Sequence, residues 1–256
     1  MDLTIVCLGE PGDTFGESHS LSDITLSRSQ IELVREVKLR SKKVIVVLFN
    51  GRPLALTPIM DYVDALIVAW HPGTESGNAL SDILWGKTIP SAKLTVSFPK
   101  STGQVPIFYS DRASGRPKED KYLDSDAAPL FQFGFGLSYT NFNYSNLRLS
   151  SNTMSIKGSV EVKVDVTNTG NYDGKEIVQL YVQDLVASVT RPQKELKDFQ
   201  KVYIHKGETQ TITFTLSAAQ LAFFDVNLKK IIEPGDFKLW VAPDSQSGLS
   251  TIFAVR

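Results

Sequence analysis

Residues 160–170 read VEVKVDVTNTG. Val160, Val162, Val164 and Val166 fall on one side of an extended chain and Glu161, Lys163, Asp165 and Thr167 on the other, because successive strand side chains point to opposite faces. A β-branched residue at every second position therefore predicts a half-buried strand. The same texture recurs at IVQLYVQD (177–184), KVYIHKGETQTITFTL (201–216) and GDFKLWVAPDS (235–245). Separated by turn signals, these segments predict an all-β sandwich over residues 142–256.

Residues 1–100 have a different period. LTIVCL (3–8), KVIVVLF (43–49) and ALIVAW (65–70) are short continuous apolar runs, the pattern of strands covered on both faces of a parallel sheet. Between the first two lies LSRSQIELVREVKLRS, where Ile31, Val34 and Val37, with Leu33, recur at helical spacing behind the N-cap candidate Ser27. A turn at Asn50-Gly51-Arg52-Pro53 and a short segment through Tyr62 precede the third run, and ESGNALSDILWG (75–86) predicts a second helix closed by Gly86. The resulting β-α-β-α-β order predicts an α/β sheet with its functional loops at the carboxyl ends of the strands. GEPGDTFGES (9–18), FNGRP (49–53) and WHPGTESG (70–77) all fall there and are candidates to face one site. Residues 101–141, rich in Gly, Pro, Ser and Asp, read as an ordered connector, because Phe108, Tyr109, Phe131, Phe133, Phe135 and Tyr139 are rings that seek burial.

Composition narrows the function. With 27 Lys and Arg against 28 Asp and Glu the net charge is −1, which lacks the basic excess that holds a phosphate backbone, so no nucleic-acid partner is expected. The apolar runs fall far short of the roughly 18–20 residues of a spanning helix, so no membrane segment is expected either. Cys7, the single cysteine, precludes an internal disulfide, and its place in LTIVCL predicts a buried, inert thiol. The N-terminus carries no basic n-region, apolar h-region or small-residue cleavage site, so no export signal is expected in this chain. The absence of G-x-G-x-x-G and G-x-x-x-x-G-K-[ST] patterns disfavours a nucleotide-binding protein, and GFG (134–136) lacks the lysine a phosphate loop needs.

The succession NGRPLAL, WHPGTESGNALSDILWGKTIPSAKLTVSFP, GQVPIFYS, GRP, PLFQFGFGLSYTNF, VTNTGNYDGKEIVQLYVQD and RPQKELKDFQKV resembles glycoside hydrolase family 3, in particular its bacterial periplasmic β-glucosidase branch. The resemblance covers essentially the whole chain. It implies a C-terminal part: a partial α/β sandwich domain (1–100), the connector (101–141) and a fibronectin III-like, immunoglobulin-like β-sandwich (142–256). The fold class is thus α/β followed by all-β. In the family a (β/α)8 barrel bearing the nucleophilic aspartate precedes these parts. Such a barrel portion or partner chain is therefore an expected partner, and the sheet of 1–100 is expected to leave an exposed edge and an uncovered face. The parent is expected to be periplasmic or secreted.

Retaining glycosidases place two carboxyls about 5–5.5 Å apart, one attacking the anomeric carbon and one protonating the leaving oxygen. In the branch resembled, the acid/base lies on a loop after a strand-ending Gly-Glu, within a later Glu-x-x-Ser. Glu17, seven residues beyond Glu10, matches it and is the catalytic candidate. The family commonly carries an arginine four residues after that glutamate, where this chain has Leu21. Read on residue type alone, Glu17 is a solvated loop carboxylate, and Glu10 is a strand-end carboxylate that accepts backbone hydrogen bonds. His19, Trp70 and Glu75 are the substrate-contact candidates. Their plainer readings are a loop histidine, a packed core ring, and a carboxylate that shapes a loop. No metal site is expected, because His19 has no neighbouring ligand and Pro72 and Gly73 break the His71/Glu75 spacing. No cofactor is expected, since the chemistry needs only two carboxyls and water.

Two functions follow. One is the acid/base-supplying part of a retaining exo-β-glycosidase, acting on β-linked oligosaccharides or aryl and alkyl β-glycosides and inactive alone. The other is a non-catalytic assembly or carbohydrate-contacting module.

Overall fold

The computed structural model describes residues 1–113 and 122–256, and the Gly115-Arg116-Pro117 motif lies outside the described residues. The chain divides into two compact units. The first comprises Met1–Trp85, Val96–Ile107 and Asp124–Phe131, and the second Gly86–Thr95, Phe108–Leu123 and Gln132–Arg256.

In the first unit β1 (Leu3–Gly9), α1 (Arg28–Arg40), β2 (Lys43–Phe49), α2 (Thr57–Met60), β3 (Ala65–Val68) and α3 (Ser76–Leu84) follow in order. The strands form a parallel sheet in the order β1-β2-β3. Ser27 caps α1 by accepting the Gln30 amide at 3.3 Å, which satisfies one of the helix's orphan donors. Val34 on α1 is fully buried, whereas its neighbour Leu33 is exposed, because adjacent helical residues point to different faces. The segment through Tyr62 is the single helical turn α2, with Ile59 in the core.

Cys7 corrects an expectation. It is exposed, as are its neighbours two and four residues back on the same face, Ile5 (42%) and Leu3 (48%). Val6 and Leu8 on the opposite face are buried. The reason is positional: β1 is the edge strand, paired only with β2 among the described residues, and it is covered on one face rather than the two that a continuous apolar run implies. Ellman's reagent is therefore expected to titrate one thiol per folded chain without denaturant. A thiol that reacts only after guanidinium unfolding would contradict this placement.

In the second unit β4 (Phe142–Leu149), β5 (Thr153–Met154), β6 (Ser159–Asn168), β7 (Gly174–Asp184), β8 (Glu195–Ile204), β9 (Thr209–Ser217), β10 (Phe223–Phe224), β11 (Lys230–Ile231), β12 (Gly235–Ala242) and β13 (Leu249–Val255) build a sandwich. A three-stranded sheet β4-β6-β9 packs against a five-stranded sheet β5-β13-β12-β7-β8, with β10-β11 as a separate small ribbon. The four valines of β6 are all buried, facing Val178, Leu180, Leu239, Val241 and Phe253 in one core. This is the α/β plus all-β architecture that the two periodicities predict.

The outward side chains of β7 are buried as well. Gln179 donates to the Gly134 carbonyl at 3.2 Å and also to the carbonyl of Pro243, while Tyr181 meets Tyr109 edge-on at 5.9 Å. Tyr109 in turn stacks on Phe133 at 4.1 Å. Tyr109 and Phe133 are thus packed onto the sheet, as aromatic surface requires, whereas Phe108 (63%) and Tyr139 (45%) are exposed, against the expectation that every connector ring is buried. Residues 86–95 are tied down by charge: Lys93 Nζ lies 3.2 Å from Glu176 Oε1 and donates to the Gly136 carbonyl at 3.1 Å. The Tyr144 hydroxyl donates to the same Glu176 oxygen at 2.9 Å.

Candidate active site

The carboxyl end of β1 begins the site. Gly9 has φ +147°, and a Cβ there would lie 1.8 Å from the Phe49 carbonyl oxygen, so only glycine lets β1 end this close to β2. The Glu10 amide then donates to Phe49 O at 2.9 Å. This aims the Glu10 side chain at the turn after β2. Its Oε2 accepts the Gly51 amide at 3.0 Å and its Oε1 sits 2.8 Å from Arg52 Nε. The Glu10 side chain is 7% exposed and that of Arg52 19%. Glu10 thus has the structural role its strand-end position suggests.

Arg52 does more than neutralise Glu10. Its Nη2 donates to the carbonyl of Thr14 and, at 3.0 Å, to that of His19. Phe15 packs so tightly on Gly51 that a Cβ there would meet its ring at 2.9 Å, and its ring lies against that of His71 at a 31° tilt with centroids 4.4 Å apart. The loops after β1, β2 and β3 therefore converge, as their places at the strand ends predict.

Glu17 occupies the crest of the first loop and is exposed, between Gly16 (φ +118°) and Ser18 (φ +65°). His19 is tied to it through the main chain: Nδ1 lies 2.7 Å from the Glu17 carbonyl. A carbonyl only accepts, so Nδ1 carries the proton, and in the neutral ring Nε2 is the acceptor presented outward. Trp70, with φ +53° at the end of β3, is half-buried with its ring 5.7 Å from that of fully buried Phe98. Glu75, at the start of α3, accepts from Asn78 Nδ2 at 2.6 Å. Beyond the crest, hydrogen bonds from the backbone and hydroxyl of Thr25 hold the Asp23 carboxyl below its ordinary value. Among the described residues no group of three or more His, Cys, Asp or Glu is arranged to hold a metal ion, and no helix is long and apolar enough to cross a membrane.

Sequence reasoning placed Arg52 in a turn and left Phe15 unassigned. The available signal was a pair of opposite charges, Glu10 and Arg52, just past the ends of two neighbouring strands.

Residues 1–139 match the glycosyl hydrolase family 3 C-terminal domain. The chain belongs to glycoside hydrolase family 3. Residues 176–245 of this family 3 chain match a fibronectin type III-like domain. It is 40% identical over 252 residues to the periplasmic beta-glucosidase of Salmonella typhimurium, covering 95% of this chain and 33% of that protein. It is also 40% identical over 250 residues to a beta-xylosidase of Formosa agariphila, covering 96% of this chain and 34% of that protein. The crystal structure of beta-glucosidase from Listeria innocua in complex with glucose superposes with a TM-score of 0.94 at 37% identity, over 100% of this chain and 36% of that one. The family 3 chain therefore spans about a third of the length of the curated relatives it matches.

Proposed function

We propose that this chain is the C-terminal part of a retaining exo-β-glycosidase, a β-glucosidase or related β-xylosidase, which releases terminal non-reducing sugars. Glu17 is its general acid/base, and the nucleophile is an aspartate on an N-terminal barrel. The observation that carries this reading is the loop Gly9–Ser20. In a family 3 chain whose relatives are β-glucosidases and β-xylosidases, that loop is anchored at both ends of its crest while Glu17 stays exposed between the anchors.

Glu17 protonates the departing oxygen as the glycosyl-enzyme forms, then deprotonates the water that hydrolyses it. His19, through Nε2, and Glu75 contact sugar or aglycone hydroxyls. Trp70 contributes an apolar wall. The chain alone is inactive, since one carboxyl of a two-carboxyl mechanism cannot form the covalent intermediate. The parent acts in the periplasm or outside the cell, in keeping with the Salmonella relative.

The test joins this chain, in a mixture or as a fusion, to the N-terminal portion of the Listeria innocua enzyme that it does not span. Hydrolysis of an aryl β-D-glucoside is expected only in the joined enzyme. Stable association without hydrolysis would instead favour a non-catalytic module, and hydrolysis by the chain alone would contradict the division of labour.

A further inference from the structure

We propose that Arg52 is the positioning residue of the Glu17 loop, a single guanidinium that presets where the acid/base carboxyl stands. This rests on the reading of Glu17 as acid/base and adds what holds it in place. Between Glu10, at the root, and His19, just past the crest, the loop is rich in turn-forming residues and has little apolar surface apart from Phe15. Left to itself such a segment samples many conformations.

Arg52 engages it at three points. Nε pairs with the buried Glu10 carboxylate at 2.8 Å, and Nη2 donates to the carbonyls of Thr14 and His19, the latter at 3.0 Å. These carbonyls lie three residues before and two residues after Glu17, so they bracket it. The contact with Glu10 is an ion pair without an aligned hydrogen bond, while Nη2, with two N–H donors in the guanidinium plane, serves both carbonyls, directions that an ammonium on a flexible stem does not hold. The arginine is itself held. It belongs to the turn after β2, where the Gly51 amide binds Glu10 and Asn50 Nδ2 donates to the Arg52 carbonyl at 2.8 Å. Phe15, seated on Gly51 and tilted against His71, adds a second contact between the loop and the neighbouring strand ends. Rigid support from neighbouring strand ends suits a group that must meet a leaving oxygen within hydrogen-bond reach, where misplacement by about 1 Å costs on the order of 10²-fold in rate.

Arg52→Met alone leaves Glu10 buried and unpaired, so the principal variant is the neutral pair Glu10→Gln with Arg52→Met. In the 256-residue chain, hydrogen exchange of the amides of residues 10–20 is expected to quicken in this variant while residues 142–256 keep wild-type rates. Unchanged exchange in the loop would overturn the proposal. In the joined enzyme the variant is expected to lose about 10²-fold in kcat/KM for an alkyl β-glucoside and to keep near wild-type kcat/KM for 2,4-dinitrophenyl β-glucoside, whose leaving group needs no proton as the glycosyl-enzyme forms. Adding Glu17→Gln is expected to cost no more than Glu17→Gln alone. A loss equal for both substrates, or one that multiplies with Glu17→Gln, would overturn the positioning role. If Glu17→Gln itself shows no dependence on the leaving group, the acid/base reading fails, while the exchange result still decides whether Arg52 holds the loop.

Discussion

In the joined enzyme Glu17→Ala is expected to lower kcat/KM for an alkyl β-glucoside by about 10²–10⁴-fold, the usual contribution of a positioned general acid. The size of the loss depends on the aglycone. An alkoxide is a poor leaving group and needs a proton as the glycosidic bond breaks, whereas 2,4-dinitrophenolate departs without one. For the activated substrate formation of the glycosyl-enzyme stays fast, and the burden moves to its hydrolysis, where Glu17 would deprotonate water. A kcat loss and a lowered KM, the signature of an accumulating intermediate, are expected there. A solvated loop glutamate with no chemical role would leave both substrates within about twofold of wild type, as surface substitutions usually do for stability.

The second large effect concerns stability. Lys93→Met is expected to destabilise the second unit by roughly 3–5 kcal/mol at neutral pH, because it strands the Glu176 carboxylate in the interior. The Glu176 side chain is 4% exposed, and the Tyr144 hydroxyl and Lys93 share its Oε1. Burial pushes the Glu176 carboxyl above its ordinary value in spite of Lys93. A carboxyl whose folded pKa is raised costs stability as pH climbs from its unfolded value of 4.5 through the folded one, and nothing below the unfolded value. Without Lys93 that cost grows, so the penalty is expected to be largest above neutrality and to shrink as the pH falls toward 4.5. Pairing Lys93→Met with Glu176→Gln is expected to recover most of the lost stability at pH 7, since a neutral amide removes the stranded charge. Urea denaturation at several pH values reads all of these. A penalty independent of pH would show that the loss comes from the hydrogen bond to the Gly136 carbonyl or from packing rather than from the charge of Lys93.

Much of the fold was legible because the side-chain periods state which face is buried. Val160, Val162, Val164 and Val166 alternate and are all in the core. The three β-branched runs of the first unit form a parallel sheet in sequence order. What periodicity does not show is what lies next to a strand; the exposed edge and uncovered face of this sheet were expected from the family resemblance alone. Cys7 sits in a run as apolar as that of β2, yet β1 is at the edge and one of its faces is open. Conversely, Gln179 and Tyr181 occupy the positions of β7 that alternation assigns to solvent, and the connector buries them.

The candidate site divides in the same way. The three loops were identifiable because strand ends in a parallel sheet share one side. The Glu10–Arg52 pair was not, since its members are far apart in sequence and meet only when β1 and β2 align in register, Gly9 opposite Phe49. Nor did any periodicity reveal that Phe15 would find Gly51 and His71, because loop residues follow no repeat.

Azide tests the assignment of Glu17 most directly. Glu17→Ala opens space beside the glycosyl-enzyme and removes the base that water needs, and azide, already an anion, attacks without losing a proton. Supplied to the Glu17→Ala joined enzyme with 2,4-dinitrophenyl β-D-glucoside, azide is expected to raise turnover and to yield β-D-glucosyl azide, the product of two inversions at the anomeric carbon. Unchanged turnover with glucose as the sole product would contradict the assignment of Glu17 as acid/base.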